Sequence, residues 1–530
     1  MTQSDKPFKQ KRGLYSEKKT GEANTTVVKE QRKLPDAAIL DHHEQDSRQS
    51  VIVTNQNHHQ TTGTVQSLQK QRKHDGTSLN NAPKPSVVFT SEHRFGKAST
   101  LKTKQIKKDV IAAIEIGYTH SGYVFCLGKK YALEGGGLYC PNWEAKDKGV
   151  VTFKTSTAIL FRPDKSIQSI GYEAEEHVSR IQGESDSGKW FFFKNFMVEF
   201  NNLKDTAVEE FKIKDFCQNN VTLKAVDVIS SFIIQMKDKL INELTRQQLG
   251  YNDNDIQWVL SIPGTLEPSQ LQLMKTAAIK AGIKHDQLTL VTGPEAELKY
   301  HRTFTSSPST FGEVQIAALP KYYRSILVHL GGVAINLTVV EVNEKTTNII
   351  EKIFNTNESA KQEFIRFLKR LFGGDVLTYL KDYHPLEYAE FLDNFEKKLK
   401  YFESDKIVTV RVPPRWYDAY EEFTGDTLTN SINQTSFKEA VAFQNDKIRI
   451  SPELFRKFNE NATEFTTKIV EKTLAKHSAS GIGILFIAGD HVDHVFVNTL
   501  RKQYPSHRII VSKNPELVVL KGAVLCEIVE

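Results

Sequence analysis

Cysteine is scarce: four in 530 residues, at Cys126, Cys140, Cys217 and Cys526. No two stand in a CxxC pair or at zinc-finger spacing, which excludes a cysteine-based metal site and a thioredoxin-like redox motif. Cys126 and Cys526 lie in apolar runs and read as small buried hydrophobes, which fits a reducing compartment. The start, MTQSDKPFKQKR, lacks the apolar core of a signal peptide. No stretch approaches the roughly 20 apolar residues that a spanning helix needs, so the expectation is a cytoplasmic protein. A GxxxxGK[ST] phosphate loop is also missing, and Gly481–Phe486 (GIGILF) reads as entry to a strand rather than a dinucleotide fingerprint.

What is present divides in two. Residues 1–108 carry 20 Lys and Arg against 10 Asp and Glu, whereas the remainder carries 50 against 54. The basic excess therefore belongs to the front of the chain. Residues 1–105 are rich in Gln, Lys, Ser, Thr, His and Asn and sustain no apolar period. Such a stretch cannot bury enough apolar surface to offset chain entropy and is expected to be a disordered basic tail. Its clusters Lys9–Arg12, Lys70–Lys73 and Lys102–Lys108 could touch nucleic acid or acidic lipid, but no aromatic stacking pattern accompanies them, so a solvated tail explains them as well. The pairs His42-His43 and His58-His59 have no third placed ligand.

From Asp109 onward the pattern is that of a folded α/β protein. Asp109–Leu127 (DVIAAIEIGYTHSGYVFCL) reads as strand, glycine turn, strand, with Glu115 near the end of the first strand. Such a turn can aim backbone N–H groups and hydroxyls at a phosphate, with the acid toward a metal or its waters. Ser325–Val342 (SILVHLGGVAINLTVVEV) repeats the arrangement around Gly331-Gly332. Two such hairpins suggest two similar lobes facing one phosphate site.

Those hairpins, with Ile256–Ile283 (IQWVLSIPGTLEPSQLQLMKTAAIKAGI), Gly293–Arg302 (GPEAELKYHR), Phe367–Leu377, Ile448–Phe458 and Leu520–Leu525, resemble the actin-like ATPase domain of the 70-kDa heat-shock proteins. Within that family the chain looks most like the divergent heat shock 70 kDa protein 12 subfamily. The resemblance implies a two-lobed actin-like ATPase fold of the duplicated ribonuclease H-like type. Lobe I would span 106–322 and lobe II 323–508, with a strand and helix over 509–530 returning to lobe I. Folding chaperones of that family continue into a peptide-gripping β-sandwich and lid, for which these 530 residues leave no room.

The resemblance also assigns a nucleotide site, ATP or ADP with magnesium, to Gly117, Tyr118, Thr119, Gly331, Gly332, Glu396, Lys400, Gly489 and Asp490. Glu115 would be its residual metal-water acid. Lys194, in the aromatic run Trp190–Phe200, stands near the family's phosphate-contacting lysine; a surface lysine among core aromatics is the alternative. Against the family pattern, the acid of the connecting segment is Gly293, the acids of the second hairpin are His329 and Asn336, and its third glycine and threonine are Val333 and Ala334. His120 replaces a small residue. With these acids lost or lengthened, ATP binding stays open while hydrolysis is expected to be weak or absent and no catalytic residue is assigned. The run Asp490, His491, Asp493 and His494 has a metal-like composition, but spacing alone is weak and a helix cap at Asp490 explains it, so no metal ligand is assigned. Two other readings stand beside the nucleotide one. One is a pseudoenzyme scaffold that binds protein partners; the other is an adaptor that holds nucleic acid or acidic membrane through its tail.

Overall fold

The computed structural model describes residue 104 and residues 108–528, apart from 129–136, 146–148, 182–188, 202–209, 218–220, 306–308, 312–313, 317–318, 344–345, 357–358, 401, 403–404 and 493. The expected tail lies outside the described residues.

The first lobe starts with β1 (Val110–Ile116) and β2 (His120–Leu127), an antiparallel hairpin. β1 is buried throughout because both its faces are covered. Val110, Ala112, Ile114 and Ile116 join one core cluster, and Ile111 and Ala113 join another, as period-two alternation requires. The run 154–162 does not form one strand. β3 (Thr155–Ser156) pairs with β2, and β4 (Ala158–Phe161) leaves for a three-stranded sheet with β5 (Ile167–Ile170) and β6 (Phe191–Lys194). Thr157 is the break: its N–H donates to the Thr119 carbonyl and its hydroxyl to the Gly117 carbonyl. Strand β5 stops at Ile170, because Gly171 (φ +67°) opens helix α1 (Gly171–Ile181). Any Cβ there would lie 2.0 Å from the Thr155 hydroxyl. A short helix α2 (Phe196–Asn201) follows β6.

Helix α3 (Ala225–Arg246) buries Val228, Ile229, Phe232, Ile233, Met236, Leu240 and Leu244 at helical spacing against the first face of the sheet. The parallel strands β7 (Ile256–Ile262) and β8 (Leu288–Thr292) flank helix α4 (Pro268–Lys280) and complete the order β8-β7-β1-β2-β3. Helix α5 (Gly293–Thr305) then leads to the second lobe.

There, β9 (Tyr323–Leu330), β10 (Ala334–Val342) and β11 (Thr347–Thr356) form an antiparallel meander. An outer subdomain follows: helices α6 (Ala360–Phe372), α7 (Gly374–Tyr383) and α8 (Pro385–Lys400), strand β12 (Val408–Arg411), helices α9 (Pro414–Thr424) and α10 (Leu428–Gln434), and strands β13 (Val441–Gln444) and β14 (Lys447–Ile450). Pro413-Pro414 follows the end of β12 and opens α9, since proline costs a helix nothing in its first turn. Helix α11 (Pro452–Lys476), capped by the Ser451 hydroxyl, returns the chain to the sheet. Strands β15 (Ile484–Ala488) and β16 (Arg508–Val511), with helix α12 (His494–Gln503) between, complete the order β11-β10-β9-β15-β16. The two five-stranded sheets therefore share one plan: an antiparallel hairpin whose first strand continues into two parallel neighbours.

β16 stays in the second sheet. Only helix α13 (Val518–Ile528) crosses back, so the return expected from residue 509 begins after the turn Pro515–Leu517. α13 packs on β1, β2, β7 and α5. It crosses α5 so closely that a Cβ on Gly522 would lie 1.8 Å from the Ala296 carbonyl oxygen. On α5, Ala296 and Tyr300 join the core around α13, while Leu298 joins that of the second sheet. His301, also on α5, is buried and stacks on Phe486 of β15 at 4.2 Å. Among the described residues no helix is long and apolar enough to cross a membrane.

Two outcomes follow from this crossing. Gly522→Ala should lower unfolding stability by about 1–3 kcal/mol or more, as chemical denaturation would show. Burial pushes the His301 imidazole down to about 3. Its contribution is complete above pH 6.5 and falls away as the pH drops toward 3, because only the unfolded chain takes up the proton easily. At pH 5 the loss should be about 2 kcal/mol. His301→Phe should flatten the decline of stability between pH 7 and 5 by about that amount.

Candidate functional site

The two hairpin turns face each other at the C-terminal ends of their first strands. Gly117 must be glycine, since a Cβ would lie 2.3 Å from the His120 carbonyl oxygen. Gly332 must be glycine for a cross-lobe reason: a Cβ there would lie 2.3 Å from the Thr119 hydroxyl. Gly489, after β15, has φ +115° and sits against the Leu330 backbone. Between the turns is a cavity of about 90 Å³, whose lining includes Gly117, Tyr118, Thr119, Gly331, Gly332 and Asp490. That is room for a handful of waters or a phosphate group.

Two acids of the lining, Glu115 and Asp490, are joined by a lysine that lies behind them. Lys154, buried just before β3, donates to Glu115 Oε1 at 2.9 Å and lies 3.1 Å from Asp490 Oδ1. It joins an acid of the first lobe to one of the second. Burial would lower the lysine, but the two carboxylates outweigh it and hold its pKa above the ordinary range. Burial raises the Glu115 carboxyl despite Lys154. Burial would also raise Asp490, but the charges of Lys154, His120, His491 and His329 outweigh it and hold that carboxyl at about 2. His120 lies 3.1 Å from the Thr119 hydroxyl and 3.9 Å from Asp490, and burial depresses its pKa.

Sequence reasoning missed two groups here. The first is Lys154 itself, a lone lysine in a run of apolar and hydroxyl residues. The second is Glu297, which lines the cavity one helical turn after Gly293 and restores a carboxylate where that glycine lost one. Glu297 is buried and Oε2 pairs with His329 Nδ1 at 3.3 Å. Burial would lower His329, but the hydrogen bond and charge of Glu297 outweigh it and raise its pKa. Glu295, by contrast, caps its own helix by accepting from Thr292. Five buried side-chain atoms of cavity-lining residues have no hydrogen-bond partner: Glu115 Oε2, Ser261 Oγ, Glu297 Oε1, Asn336 Oδ1 and Asp490 Oδ1, the last of which has only its ion-pair contact with Lys154.

Tyr118, at the other side of the turn, donates to Asn201 Oδ1 at 2.9 Å and lies 2.6 Å from the Thr265 hydroxyl. Burial pushes its phenol up to about 12. Its ring meets Phe354 of the second lobe at 6.0 Å, and Lys352 reaches across to the Gly264 carbonyl at 2.9 Å.

Lys194 corrects both readings given to it. It neither lines the cavity nor lies on the surface; it is held between Glu175 at 3.0 Å and Asp393 of α8 at 3.1 Å. Glu396 is likewise taken, accepting from Lys361 at 2.9 Å. Lys361 also approaches Asp393 at 3.6 Å, so a chain of charges ties the small sheet of lobe I to the outer subdomain of lobe II. Lys400 ends α8, and its side chain lies outside the described residues, as does Asp493. Among the described residues no three His, Cys, Asp or Glu side chains gather as a metal site.

Two similar mixed sheets with a glycine-turn cleft between them form a two-lobed α/β architecture consistent with the actin-like ATPase fold of the 70-kDa heat-shock proteins. Comparison with known proteins agrees. The chain is 21% identical over 473 residues to heat shock 70 kDa protein 12A of Mus musculus, covering 78% of this chain and 69% of that protein. It is 22% identical over 504 residues to heat shock 70 kDa protein 12B of Homo sapiens, covering 84% of this chain and 70% of that one. This distant homology places the chain in the superfamily of 70-kDa heat-shock proteins and actin-like ATPases. No family model matches it.

The ionic chain through Lys194 yields a measurable outcome. Lys194→Met removes the counter-charge of the buried Glu175 and should cost about 3 kcal/mol of unfolding stability. Asp393→Asn should cost less, and the double variant less than the sum of the two, because the residues share one interaction.

Proposed function

We propose that the chain is a divergent nucleotide-binding-domain protein whose cleft holds ATP or ADP and hydrolyses it weakly or not at all. The observation that carries this reading is the meeting of the two glycine turns over a cavity lined by buried, unpartnered polar atoms. Buried polar groups of that kind are normally satisfied by water or a ligand. The distant homology to heat shock 70 kDa proteins 12A and 12B supports the choice of a nucleotide as that ligand.

Weak hydrolysis follows from how the acids are engaged. Phosphoryl transfer relies on groups placed to stabilise developing charge and to orient the attacking water. Here Glu115 and Asp490 share Lys154, and Glu297 is bound to His329. Each of these acids already shares its charge with a basic neighbour, which weakens it as a group to activate an attacking water.

A second reading, a scaffold that binds protein partners without nucleotide, is favoured by the narrowness of the cavity and by the capture of Glu396 by Lys361.

Calorimetric titration of the full chain with ATP and with ADP distinguishes the two. Binding in the micromolar range, lost in Gly332→Val, is the expected result. Silence up to about 1 mM nucleotide, a binding free energy weaker than about 4 kcal/mol, from protein shown to be folded would leave the scaffold reading.

A further inference from the structure

The fold to which the chain is distantly related implies a divalent cation beside the nucleotide phosphates, and the residues present can be tested for their fit to one. Magnesium asks for near-octahedral oxygen at about 2.0–2.1 Å and is usually held through one or two carboxylates and several waters. The cavity has three acids, and each already has a basic neighbour. Glu115 gives one oxygen to Lys154 at 2.9 Å, and Asp490 lies 3.1 Å from the same ammonium. Glu297 gives one oxygen to His329 at 3.3 Å. Three other positions of the expected metal surroundings are Gly293, His329 and Asn336, none of them an acid.

Lys154 cannot easily step aside. It is 4% exposed, and its stem lies within 3.3 Å of the place a Cβ would take on Gly122. A dication admitted to this cavity would stand beside a buried ammonium, in surroundings where like charges are poorly screened. The free oxygens of Glu115 and Glu297 do not restore the site, since the cavity has room for waters that can satisfy them. The residues do not fit the ion.

We infer that Lys154 is the built-in cation of this cleft: bridging Glu115 and Asp490, it keeps divalent metal out, and the cleft takes its phosphate ligand metal-free. The second half rests on the nucleotide reading; the exclusion of metal does not.

Two arms on the full chain separate these parts. In the first, free Mn²⁺ is followed by electron paramagnetic resonance as protein is added. The wild type should leave the signal unchanged. Lys154→Met, which strips the counter-charge from two neighbouring acids, should deplete it in a one-to-one manner, and Lys154→Arg should remain silent. If Lys154→Met fails to fold, Lys154→Gln takes its place. In the second arm, ATP is titrated with EDTA and again with excess Mg²⁺. Equal affinity within about threefold supports the inference, and tightening by magnesium of about tenfold or more overturns it. Stoichiometric Mn²⁺ binding by the wild type also overturns it, as does a folded neutral variant that stays silent, because the lysine is then not what excludes the metal. Absence of ATP binding in both conditions, with the Mn²⁺ results as expected, upholds metal exclusion and removes the nucleotide reading alone.

Discussion

The crossing of α13 over α5 is the constraint on which the rest depends. At Gly522 the helix backbone lies so near the Ala296 carbonyl that no side chain fits. That contact lets a helix from the end of the chain cover the inner face of the first sheet. The neighbouring face of α5 meets the second sheet through Leu298 and His301. One pair of helices thus serves two cores, and the place where the hairpin turns meet follows from how closely that pair can pack. Close-packed interiors transmit such a restriction over long distances.

Around the cleft the same device occurs twice. Lys154 and Lys194 each lie between two carboxylates, one from each lobe. Taking such groups out of water is costly, and a buried pair adds little net stability over an apolar substitute. Its contribution is directional: an ammonium between two acids tolerates few arrangements, so the lobes are held in one mutual position.

Much of the fold was legible in the sequence because it depends on local signals. β1 and β7 show largely apolar runs, α3 a helical period, α11 a serine cap followed by proline, and each hairpin its glycines. The break at Thr157 was not legible, since it depends on carbonyls 38 and 40 residues away. The outer subdomain is harder to read from sequence: α7, α9 and α10 are short and their boundaries depend on glycine and proline turns. In the site, the glycine turns could be named from their pattern. The partners of the charges could not, because Lys154 meets Asp490 and Lys194 meets Asp393 only across the cleft. Glu297 could have been found: it lies four residues beyond Gly293, one helical turn along the segment Gly293–Arg302 that carries the resemblance.

The outer subdomain has a core of its own. Phe364 and Phe395 stack at 4.0 Å, and Phe391, Trp416, Phe455 and Phe458 surround them in a cluster separate from those of both main sheets. A cluster that shares no buried side chains with its neighbours can open and close as a cooperative unit of its own. A ligand held at the hairpin turns would protect the amides of the sheets more than those around Phe364. The chain would then possess two melting units under one fold, and its response to heat would report on the cleft and the aromatic core separately.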